Sequence, residues 1–261
     1  MLHQAAKPEV VCISVIRDPS MYTRCLANNP HVNGYRLHAI DNQADNTYIS
    51  IQYNRFLDAY DFAKPAWLIF CHEDFEIQED LSPYFEIADQ SCLYGPIGTW
   101  TKIYFGCFYL WKLAGVVNES RRDGTAPQRF GTFVKMGTPV ETFDCQCLIV
   151  HSDLISRTGL RFDPQLSYDL YVEDFCIQAN ENHKIISRIM PFSCKHWSSS
   201  VAAERYYPQE QYLKDKYPNC CYTGTSSYDI GTPNKLRRCN AVVKRGIKKL
   251  LALTRSCAKS S

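Results

Sequence analysis

The chain lacks several things that would place it quickly. No apolar run approaches the ~20 residues of a membrane-spanning helix, and Met1 to Glu9 has no hydrophobic secretory core, so a cytoplasmic location is expected. There is no internal repeat, no low-complexity tract and no C-x-x-C among the 13 cysteines. The close pairs Cys145-x-Cys147 and Cys220-Cys221 have no partner at zinc-ribbon spacing, which disfavours a thiol-based metal centre. Cys12, Cys71, Cys107 and Cys147 sit inside apolar runs, where a reduced cysteine acts as a small hydrophobe. Glycine is missing from Arg17 to Met21, after the first predicted strand, so the glycine-rich phosphate loop expected of a nucleotidyltransferase is not there. After Asp229 there is no acid at all.

What remains is a chain of 261 residues, 45% hydrophobic and 21% charged, enough for one large domain with a real core. The net charge of +2 hides an asymmetry. Nine Lys/Arg follow Asp229, leaving 20 Lys/Arg against 27 Asp/Glu in residues 1–229. An acidic body argues against nucleic-acid binding, whereas the basic end seeks something negative. On a helical wheel over 235–255, Leu236, Val243, Ile247 and Leu250 fall on one side and seven Lys/Arg on the other. Such a helix lies on an anionic membrane, binds an acidic partner, or packs its stripe on the domain with a solvated basic face. The expected division is residues 1–228 as one domain and 229–261 as a basic tail.

The pattern of the first seventy residues alternates. Glu9–Ile16, Tyr35–Ile40 and Ala66–Cys71 read as strands, with helices over 20–27 and 48–62 between them. That order predicts an α/β fold with parallel strands and crossover helices. Gly95, Gly98 and Gly106 read as breakers in an aromatic stretch over 94–117, and 118–128 as a flexible segment over the site. Further on, Phe143–His151 reads as a strand, Ser152 opens a short helix, Tyr171–Asn182 is helical and Lys184–Met190 is a strand.

Two acidic stations stand about a hundred residues apart. The first, His72-Glu73-Asp74, closes the apolar run from Ala66 to Cys71, at a strand's carboxyl end where open α/β sheets gather ligands. Asp74 offers a hard oxygen to Mg²⁺ or Mn²⁺, with substrate phosphates completing the sphere; alternatively, Glu73 and Asp74 cap the next segment. The second, Glu173-Asp174, opens a predicted helix. It either complements the helix dipole or supplies a general base. His196, beside Trp197, is either a packed, hydrogen-bonded residue or a ligand.

Taken in order, VCISVI, IDN at 40–42, Tyr53-Asn54, IFCHEDFEI at 69–77, GPIG at 95–98, ETFDCQCLIVHSDLI at 141–155, LRFDPQL at 160–166, YVEDFCIQA at 171–179 and PFSCKHWS at 191–198 resemble the family 2-like glycosyltransferases, in particular a small bacterial branch whose metal motif begins with histidine. The resemblance spans roughly residues 9 to 200. It implies a GT-A (Rossmann-like) fold, with a mixed, mainly parallel sheet flanked by helices and a C-terminal amphipathic helix. It also implies a nucleotide-diphosphate sugar donor, a saccharide or lipid-linked acceptor, and Mn²⁺ or Mg²⁺. Asp74, His72 and His196 would serve the metal. Asp18, Asp41, Asn54, His72 and Asp144 would seat the nucleotide sugar. Asp174, with Glu173, would act as base in an inverting displacement. His72 replaces the acid that opens the family's D-x-D motif. The rival this leaves is a degenerate domain that binds a nucleotide sugar or partner without turnover.

Overall fold

The computed structural model describes residues 8–104, 108–121, 126–197, 203–226 and 230–231. Strand β1 (Val10–Ile16) is followed by a short helix α1 (Pro19–Tyr22), a π turn (Thr23–Ala27), β2 (Arg36–Asp41), α2 (Ile49–Ala59) and β3 (Trp67–Cys71). Then come β4 (Phe75–Ile77), α3 (Ser82–Ile87), β5 (Leu93–Gly95), β6 (Ile97–Tyr104), β7 (Phe108–Glu119), β8 (Gln128–Thr132), β9 (Pro139–Val140), β10 (Thr142–Phe143) and β11 (Cys147–His151). The rest is α4 (Ser152–Thr158), α5 (Tyr171–His183), β12 (Ser187–Ile189), β13 (Cys194–His196), α6 (Ala203–Lys216), β14 (Cys221–Tyr222) and β15 (Ile230–Gly231).

The central sheet has seven strands in the order β2-β1-β3-β11-β5-β12-β9. It is mixed, as expected. β1 is parallel to β2 and β3, and β5 to β12. β11 runs against both its neighbours, and β9 against β12. The parallel strands are reached through α1 and α2, which supply the long crossover that parallel pairing needs. β11 instead arrives from a second sheet, β10-β6-β7-β13-β4, with β8 added beside β7. This second sheet was hidden in the aromatic stretch. Gly98 does not break β6; a Cβ there would lie 2.5 Å from the Thr142 carbonyl, so glycine lets β10 approach. Gly115 has φ +82° and marks a register shift between β7 and β8. The ends of the 118–128 segment are strand, not loop.

Both faces of the central sheet are covered, which is why its strands read as unbroken apolar runs. Val11, Ile13, Leu68, Phe70, Leu148 and Val150 face one core with Tyr53, Phe162 and Phe175. Cys12, Trp67, Ile69, Cys71, Cys147 and Ile149 face the other with Phe85 and Met190. Truncating a side chain such as Trp67, 1% exposed, costs about 3–5 kcal/mol by the usual large-to-small penalty. Of the nine cysteines whose side chains are described, eight are buried. Ile230 belongs to the first core and β15 pairs with β14, so the folded body continues past residue 228. Residues 235–255, the expected amphipathic helix, lie outside the described residues.

Candidate active site

The carboxyl ends of β1 and β3 open onto a cleft of about 520 Å³. Its lining includes Arg17, Asp18, His72, Glu73, Asp74, Glu119, Asp144, Asp169, Glu173, His196 and Arg205. Seven acidic side chains thus share the cleft with two arginines and two histidines, so acids outnumber bases and the bare cleft repels an anion unless a cation joins it.

One wall is the turn between β3 and β4. The Phe75 N–H closes it onto the His72 carbonyl at 3.1 Å, and the His72 N–H is held by the Gln146 carbonyl at 3.1 Å. β13 then pairs antiparallel to β4 with His196 opposite Phe75, which brings the imidazole back to Asp74. His196 Nε2 lies 3.4 Å from Asp74 Oδ1, and Nδ1 lies 3.8 Å from Glu119 Oε1. Burial opposes a charge on His196, but the Asp74 and Glu119 carboxylates outweigh it and push its pKa up to about 10. His72 goes the other way: burial lowers its pKa, against the pull of Asp74. Tyr171 Oη lies 3.0 Å from His72 Nε2 and donates to the Cys145 carbonyl at 2.6 Å. With its one hydrogen spent, the phenol oxygen accepts from His72 Nε2–H, which leaves the lone pair on Nδ1.

Donor atoms of His72, Asp74 and His196 all lie within 4.8 Å of one another. His196 Nδ1 is buried without a hydrogen-bond partner. Two imidazoles and one carboxylate fit a divalent first-row transition metal better than Mg²⁺, which prefers oxygen ligands. The tyrosine behind His72 is the kind of outer partner that fixes a ligating ring.

The opposite wall is the first turn of α5. Leu170 adopts a left-handed conformation, φ 62°, a strain of about 1–3 kcal/mol for a non-glycine residue, and the helix starts after it. Glu173 points into the cleft. It accepts from Cys145 Sγ at 3.0 Å and sits 3.5 Å from Thr225 Oγ1, which is 2.8 Å from Asp144 Oδ2. Burial, then the Asp144 charge, raises the Glu173 carboxyl to about 8.

Asp174 does not share that position. Its carboxylate is 0% exposed and turns to the other side of α5. It accepts from Lys216 Nζ at 2.7 Å, Tyr217 Oη at 2.7 Å and Gln178 Nε2 at 2.5 Å. Lys216 also holds Asp163 at 2.6 Å, so these two acids pin the end of α6 to the body. The other end of α6 is held by Arg205, 2.6 Å from Asp169. Successive helix residues are about 100° apart, and here that step puts Glu173 in the cleft and turns Asp174 towards Lys216.

Of the remaining expected site residues, Asp18 lines the cleft and caps α1 through Ser20 and Met21. Glu73 also lines it and accepts the Asp18 N–H at 2.9 Å. Asp144 lines it too. Asp41 does not; it ends the edge strand β2 and accepts the Gln43 N–H. Asn54 does not either. Both ends of its amide are spent on the Phe162 backbone, at 2.8 and 2.9 Å, tying α2 to the chain before α5. Glu119, Tyr168, Asp169, Arg205 and Thr225 line the cleft without having been expected there. Arg17 and Arg205 lie over the Tyr168 ring at 5.9 and 5.3 Å. Pro208 inside α6 obscures the helical signal that could have drawn attention to Arg205.

No family model matches the chain, and no curated protein matches it. Among solved structures it is similar to GalNAc-T7, described with UDP, GalNAc and Mn²⁺, at 10% identity and a TM-score of 0.49 over 82% of this chain. It is similar to S. aureus TarS at 12% identity and a TM-score of 0.47 over 81% of this chain. A glycosyltransferase involved in the glycosylation of the major capsid of PBCV-1 has 10% identity and a TM-score of 0.37, over 78% of this chain and 100% of its own. The chain spans 49% of the GalNAc-T7 structure and 40% of TarS.

Proposed function

We propose that this chain is a GT-A-type glycosyltransferase that moves a sugar from a nucleotide-diphosphate donor to a hydroxyl acceptor. The observation that carries the reading is the convergence of His72, Asp74 and His196 within 4.8 Å in an acidic cleft that Glu173 also lines. A divalent cation held by these three side chains, Mn²⁺ in this reading, would supply the positive charge that admits a diphosphate and stabilises it on departure. His72 and His196 would offer imidazole nitrogens to it, His196 after giving up the proton that Asp74 and Glu119 favour in the bare cleft, and Asp74 an oxygen. Tyr171 holds His72 in the ligating tautomer. Arg17 and Arg205 are the remaining cations beside the diphosphate.

Glu173, rather than Asp174, takes the acceptor proton, and Asp144 orients the hydroxyl beside it. A base whose carboxyl is raised to about 8 gives up catalysis at low pH and gains it as the carboxylate forms. The hydroxyl attacks the anomeric carbon from the face opposite the diphosphate, which inverts its configuration. Asp18 stays a candidate nucleotide contact; Asp41 and Asn54 do not.

The test is a thermal-shift screen of UDP- and GDP-sugars with and without Mn²⁺, since a ligand bound to the native state raises its stability. The expected result is a manganese-dependent shift with one donor, and slow donor hydrolysis that Glu173→Gln abolishes. Absence of a shift with every donor would contradict the reading. A donor-dependent shift without hydrolysis under any condition would favour the degenerate binding domain. Among the described residues no helix is long and apolar enough to cross a membrane. We further propose that the basic segment 235–255 holds the enzyme at an anionic membrane surface carrying a lipid-linked acceptor. Truncation after Gly231 should then abolish pelleting with anionic vesicles, and unchanged pelleting would refute it.

A further inference from the structure

After α6 the chain returns across the cleft as a short strap, residues 222–226, and the strap is firmly tied on one side. The Thr223 N–H and Oγ1 bind Glu141 Oε2 at 2.7 and 2.8 Å. The Thr223 carbonyl accepts from the Thr99 and Thr142 hydroxyls, each at 2.5 Å. Tyr222 Oη donates to Asn180 Oδ1 at 2.9 Å. Gly224 packs over Glu173, whose Cγ would lie 3.6 Å from a Cβ there. Beyond this anchor the strap enters the cleft, where Thr225 and Ser226 line the cavity.

Thr225 places an aliphatic hydroxyl at the acid/base station itself. Its Oγ1 is 2.8 Å from Asp144 Oδ2 and 3.5 Å from Glu173 Oε1. The hydroxyl carries one hydrogen, and rotation about the Cβ–Oγ bond turns it from one carboxylate to the other. This is the arrangement a transferase needs around an acceptor alcohol: a proton-accepting carboxylate, a second carboxylate that orients, and an oxygen lone pair left free to attack.

We propose that Thr225 is a self-acceptor: with a sugar nucleotide and no other acceptor bound, the enzyme glycosylates its own Thr225 hydroxyl. The proposal rests on the transferase reading above. In the step, the Thr225 O–H bond breaks and its proton passes to Glu173. A bond forms between Oγ1 and the anomeric carbon. The bond from that carbon to the diphosphate oxygen breaks, and its electron pair leaves with the nucleoside diphosphate. Because the strap is fixed by Thr223, the hydroxyl is delivered intramolecularly. Well-aligned groups of this kind reach effective molarities of about 10⁵–10⁸ M. The chemical class of acceptor follows: a secondary alcohol carried on an extended peptide segment with small neighbours, here Gly224 and Ser226.

The experiment is intact-mass spectrometry of the full chain after incubation with Mn²⁺ and, separately, UDP-glucose, UDP-galactose, UDP-N-acetylglucosamine and GDP-mannose, with released nucleotide measured in parallel. The expected result is a gain of one glycosyl residue per chain, mapped by peptide fragmentation to Thr225. Its rate per chain should be independent of protein concentration. Thr225→Ser should still take the sugar, and Thr225→Val, with a melting curve matching the parent, should stay at its original mass. Nucleotide release with an unchanged chain mass would overturn the self-acceptor proposal and leave the transferase reading standing. A sugar mapped to another residue would overturn it too. No nucleotide release and no donor-dependent thermal shift with any of the four would sink the transferase reading, and this proposal with it.

Discussion

The two acidic stations of this chain look alike in sequence and are built differently in space. At 72–74 the three residues lie on a tight turn between β3 and β4, and His72, Glu73 and Asp74 all line the cleft. At 173–174 the two residues lie on the first turn of α5, and only Glu173 lines it. A turn at a strand end fans consecutive side chains into one space, whereas a helix separates them by about 100°. The first station therefore gathers its side chains in one space. The second splits into a cleft-facing carboxyl and a buried one that fastens α6 through Lys216.

The comparison can be broken at several points. Asp74→Asn or His196→Ala should abolish the manganese-dependent part of any donor-induced thermal shift, because each takes away the charge or the nitrogen of one of the three candidate donors found among the described residues. A surviving shift would mean that the turn is a cap and not a metal site. Tyr171→Phe removes the acceptor for His72 Nε2–H and should weaken Mn²⁺ binding by about 10–100-fold, as loss of an outer-shell partner usually does. Calorimetry with Mn²⁺ alone would read it. Asp174→Asn should cost about 1.5–3 kcal/mol, the range for hydrogen bonds to charged groups, and lower the melting temperature by about 2–4 °C per kcal/mol. No change in melting would show that Asp174 does not fasten α6.

The second station can also be tested through pH. The native Glu173 carboxyl is raised from 4.5 to about 8, so the native state holds a proton that the unfolded chain releases. That contribution to stability is fully present below about pH 4.5 and is lost as pH rises through about 8. Denaturant unfolding should therefore show the parent losing stability relative to Glu173→Gln between pH 5 and 8. Parallel curves would place Glu173 in water rather than in a desolvated cleft.

Much of this was legible in the sequence. β1 and β3 are buried on both faces and so announce themselves as apolar runs; of the α2 stripe read from the sequence, Phe56 and Leu57 are buried, whereas Ile51 and Tyr60 are half-buried and Ile49 and Tyr53 turn inward in their place. The first station was legible because a strand end fixes where the next residues go. Asn54 and Asp41 do not line the cleft, because a polar residue near the site in sequence can spend its groups on backbone, as Asn54 does on Phe162. The choice between Glu173 and Asp174 depends on the rotational phase of α5, which is set by the left-handed Leu170 and by the anchoring of α6, neither visible locally. Arg205 and Thr225 reach the cleft only because Lys216 and Thr223 tie distant segments down. Long-range tethers of that kind leave no periodicity.

The most direct test compares two neighbouring variants, Glu173→Gln and Asp174→Asn, in manganese-dependent nucleotide release from the preferred sugar nucleotide, scaled to the folded fraction. The expected result is a loss of about 10²–10⁴-fold for Glu173→Gln, the usual worth of a general base, with near-parental turnover for folded Asp174→Asn. Full turnover in Glu173→Gln together with a dead, folded Asp174→Asn would contradict the account.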